Sequence, residues 1–182
     1  MVLVTPRGLL IIKRKERPMT TSDVIHFIAW HYTNGSRLDA IIASGKLKPG
    51  EALLAKGERP MLWFSTHHKW EPTTTMMVRE CGALRGLTFK ELSARIGCVR
   101  FGLPATDSRL LDWGTACALA GTPDEVRARL EHVGRMKGAN PAQWFASADA
   151  VPLADLRFER YLNGRWTESQ MGFTKGGRHV QA

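Results

Sequence analysis

The sequence predicts an α+β fold: one compact domain with a split, mixed or antiparallel β-sheet core, flanking helices and flexible basic termini. Strand-like and helix-like segments alternate along the centre of the chain without an internal repeat. The C-terminal part is rich in strands, which favours an α+β domain over a doubly wound parallel sheet. The length of 182 residues suits one such domain, predicted at residues 21–170 between a basic N-terminal arm, 1–20, and a basic tail, 171–182.

The first half of the domain is predicted to contain two strands and one helix. Residues 24–32 are rich in β-branched and aromatic side chains, as in a buried strand. Ser36 can cap the helix that follows, and Gly45 stands where a left-handed residue ends it. Pro60 then introduces a second strand at residues 61–65.

The second half of the domain is predicted to contain three helices and several strands. Thr88 and Glu91 form a capping-box pair that begins one helix, and Asp107 or Ser108 begins the next. The third helix has the clearest start, with Thr122 as cap, Pro123 at the first helical position and Glu125 at the third, and it stops at Gly138. Strands are predicted at residues 98–103 and 143–147, and on either side of the hairpin pair Asn163-Gly164.

The charge of the chain predicts an anionic partner. Lys and Arg number 26 against 17 Asp and Glu, so the net charge is +9 and the isoelectric point is about 9.9. This balance favours nucleic acid or a nucleic-acid-associated protein. A mean hydropathy of -0.22 and the lack of a long apolar run argue against a membrane span. The three cysteines form no CxxC pair, which indicates a reducing compartment and predicts a cytoplasmic protein.

Common catalytic and metal-binding signatures are missing from the sequence. It contains no GxGxxG, Walker, GxSxG or HExxH pattern. His67 and His68 with Cys81 are the nearest approach to a metal site, but adjacent histidines of a strand point to opposite faces, and no metal is predicted. Cys117 has no neighbour in sequence that would activate its thiol. An unrelated α+β enzyme that uses Cys117 or the histidine pair stays an alternative.

Residues 29–71 contain three motifs whose order is informative. They are His31-Tyr32-Thr33 at the end of the first strand, IIASGKL (41–47) at the end of the helix, and LWFS (62–65) followed by Trp70-Glu71. In this order they resemble the front half of an ADP-ribosyltransferase domain. In that family the first strand carries a histidine in an HxT or HGT setting, the helix ends in a small-Gly-x-Leu turn, and a later strand ends aromatic-Phe-Ser/Ala.

The resemblance implies a pocket that binds NAD as a substrate, without a metal. Its residues would be His31, Tyr32, Thr33, Trp63, Phe64, Ser65 and Trp70. His31 would hydrogen-bond a ribose hydroxyl, Trp63 or Trp70 would stack on nicotinamide, and Ser65 would bond the ribose or the carboxamide. Such residues suit a reaction through an oxocarbenium-like state, in which the enzyme holds the ribose and clamps the leaving ring.

The acidic residue is where the sequence departs from the family. In the poly(ADP-ribose) polymerase-like and diphtheria toxin-like branch, a glutamate opens a short strand, and the closest match here, residues 143–147 (QWFAS), begins with Gln143. An amide accepts a hydrogen bond but does not stabilise positive charge as a carboxylate does. The predicted catalytic residues are therefore His31, Gln143 and Glu71, with Asp149 and Glu159 as further acids that could substitute.

These features predict an NAD-dependent ADP-ribosyltransferase that modifies a macromolecular acceptor, nucleic acid or a protein associated with it. The size and the charge would suit a bacterial or phage conflict effector. The alternative is a catalytically inactive protein of the same fold that binds nucleic acid or a protein partner, with Gln143 as the trace of lost activity. A tRNA 2′-phosphotransferase-like protein stays open too, although its paired arginines are not seen.

Overall fold

A seven-stranded antiparallel sheet forms the centre of the protein, which we describe from a computed structural model for residues 28–50, 54 and 57–171. The strands are β1 (Ile28–Asn34), β2 (Lys46–Leu47), β3 (Leu62–Ser65), β4 (Met77–Glu80), β5 (Ala83–Gly86), β6 (Cys98–Pro104), β7 (Leu111–Asp112), β8 (Trp144–Ser147), β9 (Val151–Pro152), β10 (Arg157–Leu162) and β11 (Arg165–Glu168). The helices are α1 (Leu38–Ser44), α2 (Phe89–Arg95), α3 (Trp113–Ala120) and α4 (Asp124–Met136).

The strand order of the main sheet is β11-β10-β6-β1-β3-β8-β7, and β2-β9 and β4-β5 form two separate ribbons. All strand pairs within the described residues are antiparallel, so the mixed pairing that the sequence left open is not seen there. The arrangement confirms the predicted α+β class and a single compact domain.

The main sheet is split between β1 and β3. Strand β1 pairs with β6 along its whole length, but it pairs with β3 only at Trp30 and Ser65. One position further along, the His31 side chain bonds the carbonyl of Trp63 in place of a ladder hydrogen bond. The two strands therefore diverge, which opens a gap in the middle of the sheet.

The two faces of the sheet have different characters. One face carries the main apolar core, in which Phe64, Phe101 and Phe158 pack with Leu38 of α1. Because cross-strand partners share a face, Trp30, Ser65 and Trp144 lie in a row on the opposite face. That face also holds a buried polar pair, Arg100 and Glu159.

The predictions of helix caps and hairpin turns that depend on a few neighbouring residues are confirmed at three places. Thr88 and Glu91 form a capping box at the start of α2, and Gly45 ends α1 with a left-handed φ of 65°. The β10–β11 hairpin turns at Asn163 and Gly164, with φ values of 50° and 82°. The β4–β5 hairpin, which turns at Cys81 and Gly82, was not predicted.

Three predicted helix starts are wrong. A 3-10 turn, Gly35–Arg37, precedes α1, so Ser36 is not its cap. The helix predicted from Asp107 or Ser108 begins only at Trp113, because Leu111 and Asp112 pair with β8 and Asp112 then caps α3. Helix α4 begins one residue later than predicted, because Pro123 is extended and acts as the N-cap in place of Thr122.

Some predictions fall outside the described residues. These are residues 24–27 of the first predicted strand, the basic arm 1–20, and all of the basic tail 171–182 except Met171. Within the described ranges, no helix has the length and apolar character needed to cross a membrane.

Candidate functional site

A cavity of about 930 Å³ opens at the gap between β1 and β3. It is lined by side chains of β1, β3, α1 and α4 and by residues 46–48, 50, 54, 58 and 59. Its volume is at the upper end of the range for small-molecule and cofactor sites. The gap in the sheet is thus large enough for a ligand of dinucleotide size.

A fixed carboxylate lies at the inner end of this cavity. Glu71 is only 5% exposed, and its Oε2 accepts a 2.6 Å hydrogen bond from Ser65 Oγ. Its Oε1 accepts bonds from the hydroxyl and the backbone N–H of Thr73, at 2.8 and 3.3 Å. The Glu71 carboxylate makes no ion pair with the described residues. It is therefore oriented by neutral donors and not by a described cation.

Three side chains hold the loop that positions Glu71. Residues 66–70 connect β3 to Glu71, and three consecutive carbonyls of this loop accept side-chain hydrogen bonds from three different strands. The pairs are Tyr32 Oη with His67 O, Arg100 Nη1 with His68 O, and Trp166 Nε1 with Lys69 O. Because the loop is held at each of these residues, the carboxylate has little freedom to move.

His31 presents a ring nitrogen to the cavity. Its Nδ1 lies 2.8 Å from the carbonyl oxygen of Trp63, and its ring packs edge-on against Phe64. Since a carbonyl only accepts, Nδ1 carries the proton and Nε2 is left as an acceptor. Burial lowers the pKa of His31; the bond to Trp63 opposes this shift and the nearby charge of Arg37 adds to it. The imidazole is neutral at pH 7, and Nε2 can accept a bond from a hydroxyl.

The lowered pKa of His31 predicts a loss of stability on mild acidification. Below its ordinary pKa of 6.5 the unfolded chain binds a proton that the folded site resists, so proton uptake favours unfolding. We expect the free energy of unfolding in urea to fall between about pH 7 and pH 5.5. His31→Asn should flatten this dependence, whereas His132→Asn, at an exposed position of α4, should not. Equal pH profiles for the wild type and His31→Asn would contradict the assignment.

Three tryptophans in contact with one another form one side of the cavity. Trp63 is 40% exposed, and its ring contacts Trp113, which in turn meets Trp144 edge-on at 4.9 Å between centroids. Trp113 Nε1 donates to Glu131 of α4 at 2.8 Å, which fixes the middle ring. Gly134 allows the close approach of α4, since a Cβ there would lie 2.4 Å from the Trp144 ring. The exposed face of Trp63 suits a flat aromatic ligand.

Two buried donors of this cavity have no acceptor among the described residues. They are the indole N–H groups of Trp30 and Trp144, residues that are 1% and 8% exposed. Both line the cavity, and both are cross-strand partners of Ser65. The two nitrogen atoms have almost no accessible surface, so these N–H groups are buried in the wall and not open to a ligand. The acceptor oxygens of Glu71 suit a group that carries hydroxyls.

Positive charge surrounds the mouth of the cavity. Five cationic residues line it and make no ion pair with the described residues: Arg37, Lys46, Lys48, Arg59 and Lys137. The lining acids are Glu58 and Glu71. The mouth is therefore suited to an anionic ligand such as a diphosphate.

The structure brings together most of the site residues predicted from the sequence. The residues that line the cavity are His31, Tyr32, Thr33, Trp63, Phe64, Ser65 and Glu71. Tyr32 directs its hydroxyl to the loop and not to open space, and burial raises the pKa of this phenol. Phe64 is mainly a core residue.

Trp70 and Gln143 do not line the cavity. Trp70 stacks on Phe89 at 4.7 Å, within an aromatic cluster that includes Trp166. Gln143 ends a 3-10 turn before β8, and its backbone carbonyl accepts from Thr66 N. The other predicted acids also lie elsewhere, because Asp149 is exposed in a loop and Glu159 pairs with Arg100. Among the acids that the sequence offered, Glu71 alone lines this cavity.

The structure gives little support to the alternative sites at the histidine pair and at Cys117. His67 Nδ1 accepts the backbone N–H of Trp70, and Cys81 lies at the tip of the β4–β5 hairpin. The described part of the chain contains no group of three His, Cys, Asp or Glu side chains placed to hold a metal ion. Cys117 is buried in α3, and burial raises the pKa of its thiol to about 11, which disfavours the thiolate.

Sequence reasoning missed Trp113 and Trp144 as parts of the site. Trp144 was noted only as a member of a strand, and Trp113 lies in a segment predicted as ordinary helix. Their contacts with Trp63 and Glu131 join distant parts of the chain, so no local pattern reveals them. Comparison of the chain with protein-family models, with curated proteins and with solved structures gives no match.

Proposed function

We propose that the protein is an NAD-dependent ADP-ribosyltransferase that transfers ADP-ribose to a macromolecular acceptor. The observation that carries the proposal is the fixed Glu71 carboxylate, which shares one cavity with His31 and the exposed face of Trp63. The sequence motifs that resemble this family predicted the same three residues as members of one site. Their convergence across β1, β3 and the loop after β3 supports the resemblance.

The chemistry of the cavity fits the parts of NAD. Trp63 offers its face to the nicotinamide ring, and the oxygens of Glu71 accept from ribose hydroxyls. His31 Nε2 accepts from a further hydroxyl, and Arg37 and Lys137 face the diphosphate. The ring of Trp63, the acceptors of Glu71 and His31, and the cations thus each have a partner in this substrate.

The reaction breaks the bond between C1′ of the nicotinamide ribose and the ring nitrogen. The bonding electron pair leaves with nicotinamide, and C1′ develops positive charge that the Glu71 carboxylate stabilises. A nucleophilic atom of the acceptor then forms the new bond to C1′ and releases its proton. In this proposal Glu71 takes the acidic role for which the family pattern pointed to the position of Gln143, and Gln143 has no direct contact with NAD.

The proposed acceptor is nucleic acid or a protein that accompanies it. The net charge of +9 and the cationic mouth of the cavity support this choice. Cys81, Cys98 and Cys117 are all free, which fits a reducing compartment such as the cytoplasm. A protein that binds NAD and nucleic acid without turnover is the second possibility, and the experiment below separates the two.

Nicotinamide release tests the proposal. We expect proton NMR of the full chain with NAD to show free nicotinamide, faster when cell lysate supplies an acceptor. His31→Ala should lower the initial rate by about 10-fold or more, because the ribose loses a positioning contact. His132→Ala, at an exposed position of α4, is the matched control and should react at the wild-type rate.

Other outcomes have definite meanings. Release that is equal in His31→Ala and the wild type, with aromatic circular dichroism unchanged, would contradict the assigned site. A raised melting temperature in NAD without any release would favour the inactive binding protein. If NAD neither releases nicotinamide nor raises the melting temperature, NAD is excluded as the substrate.

A further inference from the structure

A second groove continues from the mouth of the cavity along the surface. It has a volume of about 350 Å³ and shares three cationic residues, Lys46, Lys48 and Arg59, with the cavity. Its other walls are small and apolar, formed by Pro49, Pro60, Ala148 and Ala150. The Asp149 carboxylate does not line it. The groove therefore places three cationic side chains beside the site of the proposed reaction, and no described carboxylate lines the groove itself.

The backbone that carries these cations is held in place. Lys46 and Lys48 flank Leu47, which is buried and pairs with Val151 in the β2–β9 ribbon. The side chains of Lys46 and Lys48 are exposed, whereas that of Leu47 between them is buried. The backbone N–H of Arg59 bonds the carbonyl of Ala120 at 2.8 Å. The three charges thus extend from ordered backbone on two sides of one groove.

The grouping of three unpaired cations beside one groove distinguishes these residues from the paired arginines of the described chain. Many arginines of the described chain are paired with carboxylates: Arg85, Arg95, Arg100, Arg109, Arg127, Arg135 and Arg157. Lys46, Lys48 and Arg59 make no ion pair with any described residue, although all three are exposed beside one groove. Like charges gathered in this way repel each other, and a bound polyanion would relieve the repulsion.

We propose that Lys46, Lys48 and Arg59 bind the phosphate backbone of a single-stranded nucleic acid acceptor and direct one of its nucleotides into the cavity. The inference rests on the proposed function and specifies its acceptor. Trp63 lines the same cavity as these cations and Glu71, and it offers an exposed ring on which a base can stack. A single strand is favoured over a duplex, because an acceptor atom must enter the cavity and bases of a duplex are held in the stack.

The test measures binding without NAD. A fluorescein-labelled oligothymidylate is titrated with the full chain at several salt concentrations, and an oligouridylate distinguishes RNA from DNA. The variant Lys46→Gln, Lys48→Gln, Arg59→Gln is compared with Lys90→Gln, Arg129→Gln, Arg165→Gln, which removes the same charge at exposed positions away from the groove. The groove variant should bind about 10-fold more weakly, and its log–log salt slope should fall by about 2, since each phosphate contact contributes about 0.7. The control variant should change the slope by much less.

Three results would overturn the inference. Equal losses in the two triple variants would mean that only the total charge matters. Tighter binding of a duplex of the same sequence, or equal competition by polyglutamate, would reject a single-stranded nucleic acid as the preferred occupant. Because NAD is absent, this experiment can succeed while nicotinamide release fails, and it can fail while release succeeds, so the two proposals are judged separately.

Discussion

Glu71→Gln is expected to reduce the rate of nicotinamide release by about 100-fold or more, the scale seen when a preorganised electrostatic contact to a transition state is removed. The substitution keeps the shape of the side chain and one of the two oxygens that accept from the Ser65 and Thr73 hydroxyls. It removes the negative charge that stabilises the developing charge at C1′. The loss should therefore appear mainly in kcat and only weakly in KM.

The matched control for this prediction is Glu125→Gln. Glu125 lies in the first turn of α4, is exposed and does not line the cavity, so its loss should leave the rate within about 2-fold. Ser65→Ala should give an intermediate loss, because the carboxylate keeps its charge but loses its shortest bond. A Glu71→Gln protein that is folded and as active as the wild type would reject Glu71 as the acid.

Glu159→Gln is expected to have the largest effect on stability, a loss of about 3–5 kcal/mol in the free energy of unfolding. Arg100 donates two bonds to Glu159 and lies between the rings of Trp30 and Trp166, with its guanidinium carbon 3.9 and 4.4 Å from the ring centroids. Both charged side chains are buried. Neutralising Glu159 leaves the Arg100 charge in the interior with aromatic faces and neutral acceptors only: the amide oxygen of the new side chain, Tyr32 Oη and His68 O.

A double-mutant cycle in urea checks this prediction. Arg100→Met alone should also destabilise, and Arg100→Met with Glu159→Leu should recover part of the loss, because no buried charge is then unpaired. Glu168→Gln is the control, since Glu168 forms an exposed pair with Arg157 and should cost about 1 kcal/mol or less. Additive effects of the two buried substitutions would show that Arg100 and Glu159 act independently.

The buried pair is also connected to the site through the backbone. Arg100 bonds the carbonyl of His68, and the loop that contains His68 ends at Glu71. Arg100 is thus a positioning residue for Glu71 and does not itself line the cavity. Variants of the pair that stay folded should raise the mobility of the carboxylate, and their nicotinamide release should fall in kcat without a change in its pH profile.

The sequence alone determined the features that depend on a few neighbouring residues. The capping box of Thr88 and Glu91 and the hairpin at Asn163-Gly164 form as predicted, because the required partners lie within four residues of each other. The alternation of strand-like and helix-like segments was enough to predict the α+β class. Most of the residues predicted between His31 and Glu71 line one cavity, because β1, β3 and Glu71 follow closely in the chain.

The tertiary structure decided which residues meet. The sequence predicts Asp112 as part of a helix. In the structure Asp112 pairs with β8 and is the last residue of β7, and this pairing depends on a strand more than thirty residues away in the chain. In the same way, the choice between Gln143 and Glu71 depends on where β8 begins and on how Tyr32, Arg100 and Trp166 hold residues 66–70. Sheet pairing and burial link distant segments cooperatively, so a local pattern can identify a candidate acid but does not determine which acid enters the cavity.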